Sequence, residues 1–403
     1  MVINKSEKLL NVRYDIRGAI SDEADKLESE GAYIIKLNTG NPAAFGFKAP
    51  ASVVNSLKEY ADTSAPYSCS KGLREAREAI ADYCILKDIP GVKADDIYTG
   101  NGVSELIQIS LQAFINSGDE VLIPTPDYPL WTAATILAGG KAVHYICDEQ
   151  SEWYPDIDDI KKKITSRTRA IVIINPNNPT GALYPKDLLN ALADLARKHE
   201  LVIFSDEIYD RLVMDGEEHV SMASIAPDIF TVIFNGLSKS HQICGYRAGW
   251  MVLCGDKSGA GGYIEGLNTL VSLRLCSNVT SQSIICRALK DNESTQVHLV
   301  PGGRLYEQRR YAFNELTKIP GISAVKPRAG MYIFPQIDTD MYGITNDEQF
   351  VLDFLREKHV LLTHGGSYNW KQPDHFRLVY LPPMEELVEV MNRLRDFLES
   401  YHQ

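Results

Sequence analysis

Three stretches of the chain decide its fold: IVIINPNNPTG at residues 171–181, LVIFSDEIYD at residues 201–210 and VIFNGLSK at residues 232–239. Each stretch begins with a short apolar run and ends directly in polar side chains. The runs are apolar throughout instead of alternating, which is typical of parallel strands that helices cover on both faces. Because ligands collect beyond the carboxyl ends of parallel strands, the polar ends of these stretches predict a shared functional site.

The same switching between strand-like and helix-like stretches extends from about residue 96 to residue 253. This pattern predicts an α/β fold with a mostly parallel central sheet flanked by helices. The other strands of the sheet are predicted at DIYTG, EVLIP, AVHYI and AGWMVL, which begin at residues 96, 120, 142 and 248.

A second, smaller unit is predicted after residue 290. Residues 261–317 are helical in pattern, with a break at Pro301-Gly302-Gly303, and SAVKP, GMYIFPQI and FRLVYLP then read as strands before an amphipathic helix over residues 384–401. We therefore expect a large domain over 46–290 and a small α+β domain over 291–403. The segment 1–45 is expected to pack on the small domain or on a partner subunit.

The bulk composition excludes several classes of function. The 403 residues are 44% hydrophobic and carry a formal net charge of -12, which disfavours nucleic acid and anionic membrane surfaces as partners. The seven cysteines form no Cys-x-x-Cys pair, and no apolar stretch approaches the ~20 residues that span a bilayer. We expect a cytoplasmic protein, and the spacing of the nine histidines predicts no metal site.

The polar strand ends carry the residue types that an aldehyde cofactor with a pyridine ring would need. A lysine can form a Schiff base with the aldehyde, and it is more nucleophilic when burial and nearby cations depress its pKa; this role is assigned to Lys239. A buried acid keeps the ring nitrogen protonated, so that the ring withdraws electrons from the substrate, and Asp206 fits this role. Asn178 and Tyr209 can donate hydrogen bonds to a ring hydroxyl oxygen.

A phosphate group on the same cofactor would need backbone amides and a cation. Gly102, Val103 and Ser104 are predicted to open a helix, whose free N–H groups and dipole favour an anion. Arg247 can supply a bidentate guanidinium to the same phosphate.

Two further side chains complete the predicted site. Tyr128, in PDYPLW, is an aromatic platform for a ring, and Arg377, in FRLVYLP, can bind a substrate carboxylate as a planar pair. Each residue singled out also has an ordinary alternative, because a lone lysine is usually solvated, an aspartate can cap a helix and a tyrosine usually packs. Their joint occurrence favours the functional interpretation.

Taken together, the motifs resemble the class I/II aminotransferases of pyridoxal-phosphate (PLP) fold type I. The resemblance extends over nearly the whole chain to the bacterial glutamate-pyruvate (alanine) aminotransferases. The motifs that carry it are YDIRG, LNTGNPAAFGF, APYSCSKGL, GNGVSE, PDYPLWTAA, IINPNNPTGALY, DEIYD, SLSK, GYRAGW, GGRLYEQR and PDHFRLVYLP, in the stretch between residues 14 and 382. The resemblance implies pyridoxal 5'-phosphate as cofactor and ping-pong transfer of an amino group between a small L-amino acid, alanine first, and 2-oxoglutarate or pyruvate.

The resemblance also assigns roles to residues that match its motifs. Lys239 would join the cofactor and act as the base of the proton shift, and Gly40 would contact the substrate beside Asn178 and Arg377. Tyr67 resembles a tyrosine that reaches a phosphate across a dimer interface, which implies a homodimer with shared active sites. Tyr14 and Arg17 would close over a small substrate.

Two positions depart from the commoner pattern of the family. Gly236 stands where many relatives carry a serine, so one phosphate hydrogen bond is expected to be absent or moved to Ser238. Tyr368, in HGGSYNW, replaces a more usual phenylalanine arrangement and leaves the shape of the substrate pocket open.

Other functions remain as alternatives at this point. GNGVSE imitates part of a dinucleotide fingerprint, but its third glycine is missing, which disfavours a nicotinamide-dependent dehydrogenase. A PLP-dependent C–S β-lyase, or an aminotransferase with a different amino acid preference, would share the cofactor residues. A binding module that retains PLP without catalysis is the third alternative, and no DNA-binding segment is visible to support it.

Overall fold

The computed structural model describes residues 2–12, 14 and 18–403, and its largest feature is an eight-stranded sheet. The strands of the described residues are β1 (Ile35–Lys36), β2 (Ile97–Asn101), β3 (Glu120–Thr125), β4 (Lys141–Asp148), β5 (Tyr154–Pro155), β6 (Thr168–Ile174), β7 (Val202–Asp206), β8 (Thr231–Gly236), β9 (Ala248–Cys254), β10 (Ile322–Ser323), β11 (Tyr332–Ile333), β12 (Gln336–Ile337), β13 (Val360–Leu361), β14 (Thr363–His364) and β15 (Phe376–Val379).

The order in the large sheet is β2-β9-β8-β7-β6-β3-β4-β5. Neighbours from β8 to β4 pair in parallel, whereas β9 is antiparallel to both of its neighbours and β5 is antiparallel to β4. The predicted mostly parallel central sheet is therefore confirmed, and all seven strands predicted for it are present.

Helices cover both faces of this sheet. The helices of the described residues are α1 (Ala19–Ser29), α2 (Ala51–Tyr60), α3 (Arg74–Leu86), α4 (Val103–Phe114), α5 (Leu130–Leu137), α6 (Ile157–Lys163), α7 (Lys186–Lys198), α8 (Met222–Ile225), α9 (Gly261–Leu273), α10 (Val279–Ser283), α11 (Ile285–Lys290), α12 (Glu293–Gln296), α13 (Arg304–Leu316), α14 (Thr339–Tyr342), α15 (Asp347–Lys358) and α16 (Met384–Leu398). None of them is long and apolar enough to cross a membrane.

The fully apolar strands bury alternate residues in two separate cores. In β6, Val172 and Ile174 pack with α4 and α9, whereas Ile171 and Ile173 pack with α7 on the other face. Successive side chains of a strand point to opposite faces, so a strand covered on both sides needs apolar residues at every position. The uninterrupted apolar runs quoted first are explained by this double burial.

The C-terminal part forms a smaller set of elements in which short strands pack against α13, α15 and α16. Here β15 lies between β11 and β14 and pairs antiparallel with both. The predicted strand SAVKP is mostly wrong, because β10 ends at Ser323. The backbone of the following residues bonds to loops of the larger part instead, as Arg328 N donates to Gly181 O and Arg328 O accepts from Met214 N.

The N-terminal segment packs on these C-terminal elements within the same chain. β1 pairs in parallel with β13, and Ile20 and Ala24 of α1 belong to the same hydrophobic core as α13, α15 and α16. The predicted domain boundaries at residues 45 and 290 stay a prediction.

Candidate active site

Three loops that follow neighbouring strands meet at one edge of the large sheet. β6, β7 and β8 are adjacent and parallel, so their carboxyl ends lie at the same edge. Asp206 is the last residue of β7, Asn178 lies in the loop after β6, and Lys239 lies in the loop after β8. Gly102 follows β2, which points the same way because β9 is antiparallel to both β2 and β8.

The side-chain amine of Lys239 lies among the loops that meet at this edge of the sheet. Its Nζ donates a hydrogen bond to the backbone oxygen of Gly40 at 2.7 Å and lies 3.9 Å from Sγ of Cys244. Burial lowers the pKa of Lys239, but Tyr332 and Cys244 raise it, and the pKa lies above its ordinary value. The expectation of a depressed pKa is therefore wrong for the free amine, because these two neighbours outweigh burial and two nearby arginines.

Asp206 is a buried carboxyl group whose described hydrogen bonds come from neutral donors. It is 3% exposed and accepts from the indole Nε1 of Trp131 at 3.1 Å and from the backbone N of Ile208 at 3.3 Å. Burial raises the pKa of Asp206 to about 6, although both hydrogen bonds and the charge of Lys239 lower it. Because a buried carboxylate is costly unless a cation faces it, Asp206 fits the protonated ring nitrogen of a pyridine cofactor.

Near Lys239 lies a cluster that we call the Arg247 end, which consists of Gly102, Val103, Ser104 and Arg247. Gly102 precedes α4 with φ +79°, and Val103 and Ser104 form the first turn of that helix. The guanidinium bonds to two backbone oxygens, those of Cys244 at 2.8 Å and of residue 101 at 3.3 Å.

The Arg247 end fits an anion such as a phosphate. A Cβ added to Gly102 would lie 2.1 Å from Nη2 of Arg247, so only glycine lets the guanidinium reach the start of α4. Both described acceptors of the guanidinium are neutral backbone oxygens, which leaves its charge without an anionic partner among them. The free N–H groups at the start of a helix add a second source of positive potential.

Tyr128 lies next to the Arg247 end. Its hydroxyl is 3.1 Å from the hydroxyl of Tyr14, and burial raises its pKa, while a hydrogen bond with Ser104 lowers it. The position of Tyr128 beside Ser104 is consistent with the predicted platform for a cofactor ring.

The departure at Gly236 has a steric reason. A Cβ at this position would lie 2.7 Å from the backbone oxygen of Ala248, so a serine side chain has no room here. Ser238 is 8% exposed, and its backbone oxygen accepts from Sγ of Cys244 at 2.9 Å. A phosphate contact from the Ser238 hydroxyl stays a prediction.

A second cluster near Lys239 is the Arg377 end, which consists of Arg377, Asn178, Asn38, Tyr332 and Tyr368. Arg377 is 3% exposed and donates to Oδ1 of Asn178 at 3.1 Å and to the backbone oxygen of Asn38. Its Cζ lies 4.4 Å from the ring centre of Tyr332 and 4.8 Å from that of Tyr368. The guanidinium thus contacts two aromatic rings, and its Nε has no described hydrogen-bond partner.

Tyr209 and Gly40 connect the Arg377 end to Lys239. The hydroxyl of Tyr209 is 2.8 Å from the hydroxyl of Tyr332, and burial raises the pKa of Tyr209 well above its ordinary value. A Cβ on Gly40 would lie 2.0 Å from the same Tyr332 hydroxyl. The structure therefore brings together the predicted Asn178, Tyr209 and Gly40 with the two ends and the lysine.

Of the other predicted residues, Tyr67 lies apart from this cluster and Tyr14 lies beside it. Tyr67 is 80% exposed on the surface of the chain, so its proposed contact with a partner's site stays a prediction. Tyr14 is 38% exposed and its hydroxyl is 3.1 Å from that of Tyr128; burial and, to a smaller extent, Tyr14 raise the pKa of Tyr368 in the Arg377 end. Arg17 lies outside the described residues.

Sequence reasoning missed Trp131 as a partner of Asp206. It lies in the PDYPLW motif and is fully buried on α5, and only the packing of α5 against β7 reveals its hydrogen bond. Cys244 was also missed, although its place five residues after Lys239 was a usable signal. His241, two residues after Lys239, is buried, and its Nε2 lies 2.7 Å from the backbone oxygen of Ala288; burial lowers its pKa to about 4.

Comparison with known proteins assigns the family. Residues 32–394 match the family of class I and II aminotransferases. The chain is 53% identical over 401 residues to the glutamate-pyruvate aminotransferase AlaA of Escherichia coli strain K12, which covers 100% of this chain and 99% of that protein. It is 50% identical over 400 residues to the alanine aminotransferase of Mycobacterium bovis, with 99% and 93% covered.

Solved structures agree with this assignment. The alanine aminotransferase of Pyrococcus furiosus matches with a TM-score of 0.94 at 37% identity, covering 98% of this chain and 100% of that one. An aminotransferase of Escherichia coli matches over the whole of both chains with a TM-score of 0.99 and 53% identity. The predicted fold type I is thereby confirmed, and the chain belongs to the family of class I and II aminotransferases.

Proposed function

We propose that this enzyme holds pyridoxal 5'-phosphate at Lys239 and transfers the amino group between L-alanine and 2-oxoglutarate. One observation carries the proposal: the amine of Lys239 lies near the buried Asp206 and near two arginines, Arg247 and Arg377, whose described hydrogen bonds go only to neutral oxygens. Two anions, a phosphate at one end and a carboxylate at the other, would complete this arrangement. The names of the relatives in Escherichia coli and Mycobacterium bovis support alanine as the amino donor.

Each residue would hold a different part of the cofactor. Gly102, Val103, Ser104 and Arg247 would bind the phosphate, with Ser238 adding its hydroxyl. Asp206 would pair with the ring nitrogen, and Asn178 and Tyr209 would bond to the ring hydroxyl oxygen. When bound, the cofactor supplies an aldehyde carbon for amine exchange and a positive ring that withdraws electrons from the substrate.

The residues of this chain would then carry out three tasks. Arg377 binds the substrate carboxylate beside Asn178 and Gly40, which sets the direction in which the substrate enters. The Lys239 amine, once free, would remove the proton from the substrate Cα as a general base and return it as a general acid. Asp206 would stay ionised to hold the ring nitrogen as a cation, which a protonated carboxyl could not do.

The transfer needs two half-reactions on one site. Alanine would leave its amino group on the enzyme-bound cofactor and depart as pyruvate with uptake of one water, and 2-oxoglutarate would then take up the amino group, release one water and leave as glutamate. Ping-pong kinetics are therefore expected. A C–S β-lyase would instead release ammonia and a thiol together with pyruvate, so the products separate the two functions.

We include in the proposal a homodimer in the cytoplasm. Tyr67 is exposed on this chain together with Leu273 and Leu275, which are 77% and 56% exposed. Such apolar side chains favour burial against a second copy, where Tyr67 would reach the phosphate of the partner's site. All seven cysteines are free, which suits a reducing compartment.

The test measures glutamate formed from L-alanine and 2-oxoglutarate by the purified enzyme. Removing Lys239 is expected to cost more than the ~10²- to 10⁴-fold of an ordinary general base, because the lysine is both tether and base. Borohydride treatment followed by mass spectrometry should find a pyridoxyl group on Lys239.

Lys162→Ala is the matched control, since this lysine is exposed on α6 and should leave activity unchanged. Near-normal glutamate formation by Lys239→Ala would refute the proposal. Ammonia and a thiol from a cysteine conjugate, without a new amino acid, would assign the lyase instead.

A further inference from the structure

Tyr332 contacts both Tyr209 and Arg377. It lies on β11, is 2% exposed, and pairs through its backbone with β15, the strand that carries Arg377. Its hydroxyl is 2.8 Å from the hydroxyl of Tyr209, and its ring centre is 4.4 Å from Cζ of Arg377. One side chain thus joins the tyrosine on the cofactor side to the arginine on the substrate side.

The hydrogen bond between the hydroxyls of Tyr209 and Tyr332 can run in either direction, and the direction decides whether Tyr209 can donate to a ligand. Each phenol has one proton, so in the Tyr209–Tyr332 pair one hydroxyl donates and the other accepts. Tyr209 can donate toward a ligand in the site only if its oxygen accepts from Tyr332. The Tyr332 hydroxyl would therefore orient the proton of Tyr209 into the site.

The ring of Tyr332 has a separate task. The Cζ of Arg377 lies 4.4 Å from the centre of this ring and 4.8 Å from that of Tyr368, while Nη1 donates to Asn178. Contacts with two aromatic rings and a hydrogen bond restrict the orientation of the guanidinium, and a fixed orientation favours pairing with a carboxylate through two parallel hydrogen bonds.

The absence of a side chain at Gly40 makes this placement possible. A Cβ there would lie 2.0 Å from the Tyr332 hydroxyl and 2.8 Å from Cζ of its ring. The backbone oxygen of Gly40 also accepts the hydrogen bond of Lys239. Tyr332 is therefore packed directly against the segment that holds the reactive amine.

We propose that Tyr332 is a positioning residue with two separable roles, in which its hydroxyl orients Tyr209 as a donor and its ring holds the plane of Arg377. The inference rests on the proposed function, because it takes Tyr209 to face the cofactor and Arg377 to face the substrate carboxylate.

Two variants separate the roles. Tyr332→Phe keeps the ring and removes the hydroxyl, so pyridoxal phosphate should bind to the cofactor-free protein about 3- to 10-fold more weakly, measured by tryptophan fluorescence. The pH midpoint of the visible absorption of the reconstituted protein should also shift, while KM for L-alanine changes less than about twofold. Tyr332→Leu removes both groups and should in addition raise KM for L-alanine and 2-oxoglutarate by about tenfold.

Tyr342→Phe is the matched control, because Tyr342 is 3% exposed and its hydroxyl bonds to Pro320 O away from the site. It should change neither cofactor affinity nor KM. An unchanged cofactor affinity and absorption midpoint in Tyr332→Phe would overturn the hydroxyl role, and an unchanged KM in a folded Tyr332→Leu would overturn the ring role.

Failure of the proposed function would look different from failure of this inference. In that case the unsubstituted enzyme would form no glutamate from L-alanine. If Tyr332→Leu does not fold, Tyr332→Phe still decides through cofactor affinity, which needs no turnover.

Discussion

The Arg247 end and the Arg377 end both present a guanidinium to the same lysine, yet they are built in different ways. The Arg247 end comes from the loops of β2 and β9, which are paired strands with Asn101 opposite Ala248. The Arg377 end combines the segment around Asn38, the loop after β6, and strands β11 and β15. Arg247 is half-buried, whereas Arg377 is 3% exposed.

This difference predicts that amino acid substitutions at the two ends will have effects of different size. A cation that keeps some contact with water loses less when its anion is removed than one that is fully buried between rings. The Arg377 end also depends on segments that meet only when the C-terminal elements pack on the large sheet. We therefore expect substitutions at the Arg377 end to have larger effects than those at the Arg247 end. These effects should appear in the KM of the substrates instead of the affinity for the cofactor.

The largest effect is expected for Arg377→Leu. Loss of a buried, hydrogen-bonded charge pair costs about 2–5 kcal/mol, so KM for L-alanine and for 2-oxoglutarate should rise by about 100-fold or more. Cofactor affinity, measured by fluorescence titration, should stay within about threefold. Arg377→Lys should restore only part of the loss, because an amine cannot form the parallel pair.

Arg310→Leu serves as the control, because this arginine is exposed on α13 and pairs with Glu307 on the surface. If Arg377→Leu weakened cofactor binding as strongly as it raised KM, the result would contradict the expectation that the Arg377 end binds the substrate and not the cofactor.

The second effect concerns Arg247→Leu. We expect pyridoxal phosphate to bind about 10- to 100-fold more weakly, since a hydrogen bond to a charged group contributes about 1.5–3 kcal/mol. KM for L-alanine at saturating cofactor should change less than about threefold. Equilibrium titration of the cofactor-free protein gives the first value and steady-state kinetics the second. An increase in KM equal to that of Arg377→Leu would remove the distinction between the ends.

A smaller effect follows from the pKa of Asp206, which burial raises to about 6. Above this pH the carboxyl is ionised and attracts a protonated ring nitrogen; below it the carboxyl is neutral and does not. Cofactor affinity should therefore be full above about pH 7 and fall by up to tenfold for each unit below pH 6. Asp206→Asn should bind the cofactor weakly without this dependence, and an identical pH profile in both proteins would contradict the assignment.

The smallest effect is expected for Trp131→Phe, which removes the indole donor from Asp206 but keeps an aromatic ring. This hydrogen bond lowers the pKa of Asp206, so its loss should move the midpoint of cofactor binding upward by about one pH unit. The measurement is the same titration repeated across pH. Trp370→Phe is the control, because its Nε1 donates to Asp374 and not to Asp206. A midpoint unchanged in Trp131→Phe would show that the indole does not act on Asp206.

Most of the sheet and the strand-end residues could be predicted because each signal is local. An apolar run of strand length followed at once by Asp206 or by Ser238 and Lys239 needs no knowledge of other segments. The short strands of the C-terminal part were harder, since β10, β11 and β12 have two residues each and their pairing depends on distant partners. The stretch SAVKP was misread because its strand pairing ends at Ser323, and Arg328, the residue after the stretch, bonds through its backbone to loops far away in the chain.

The contacts of the site also divide into those with a local sequence signal and those that depend on distant partners. Lys239, Asp206 and Arg247 were recognised from motifs. The hydrogen bond from the indole of Trp131 to Asp206 was not, because it joins a helix and a strand that are 75 residues apart in sequence. The pKa of Lys239 was also misjudged. Its direction depends on the hydroxyl of Tyr332 and the thiol of Cys244, which only folding places beside the amine.

The sequence by itself determined the α/β sheet, the strand ends where the chemistry lies and the residue types available there, because strand period, apolar runs and loop motifs act within a few residues. Tertiary structure decided which of those side chains touch, that Arg377 contacts the rings of Tyr332 and Tyr368, and which way the pKa of Lys239 moves. Hydrogen bonds, burial and charge interactions act over a few ångströms of space, and residues that are close in space can be far apart in the sequence.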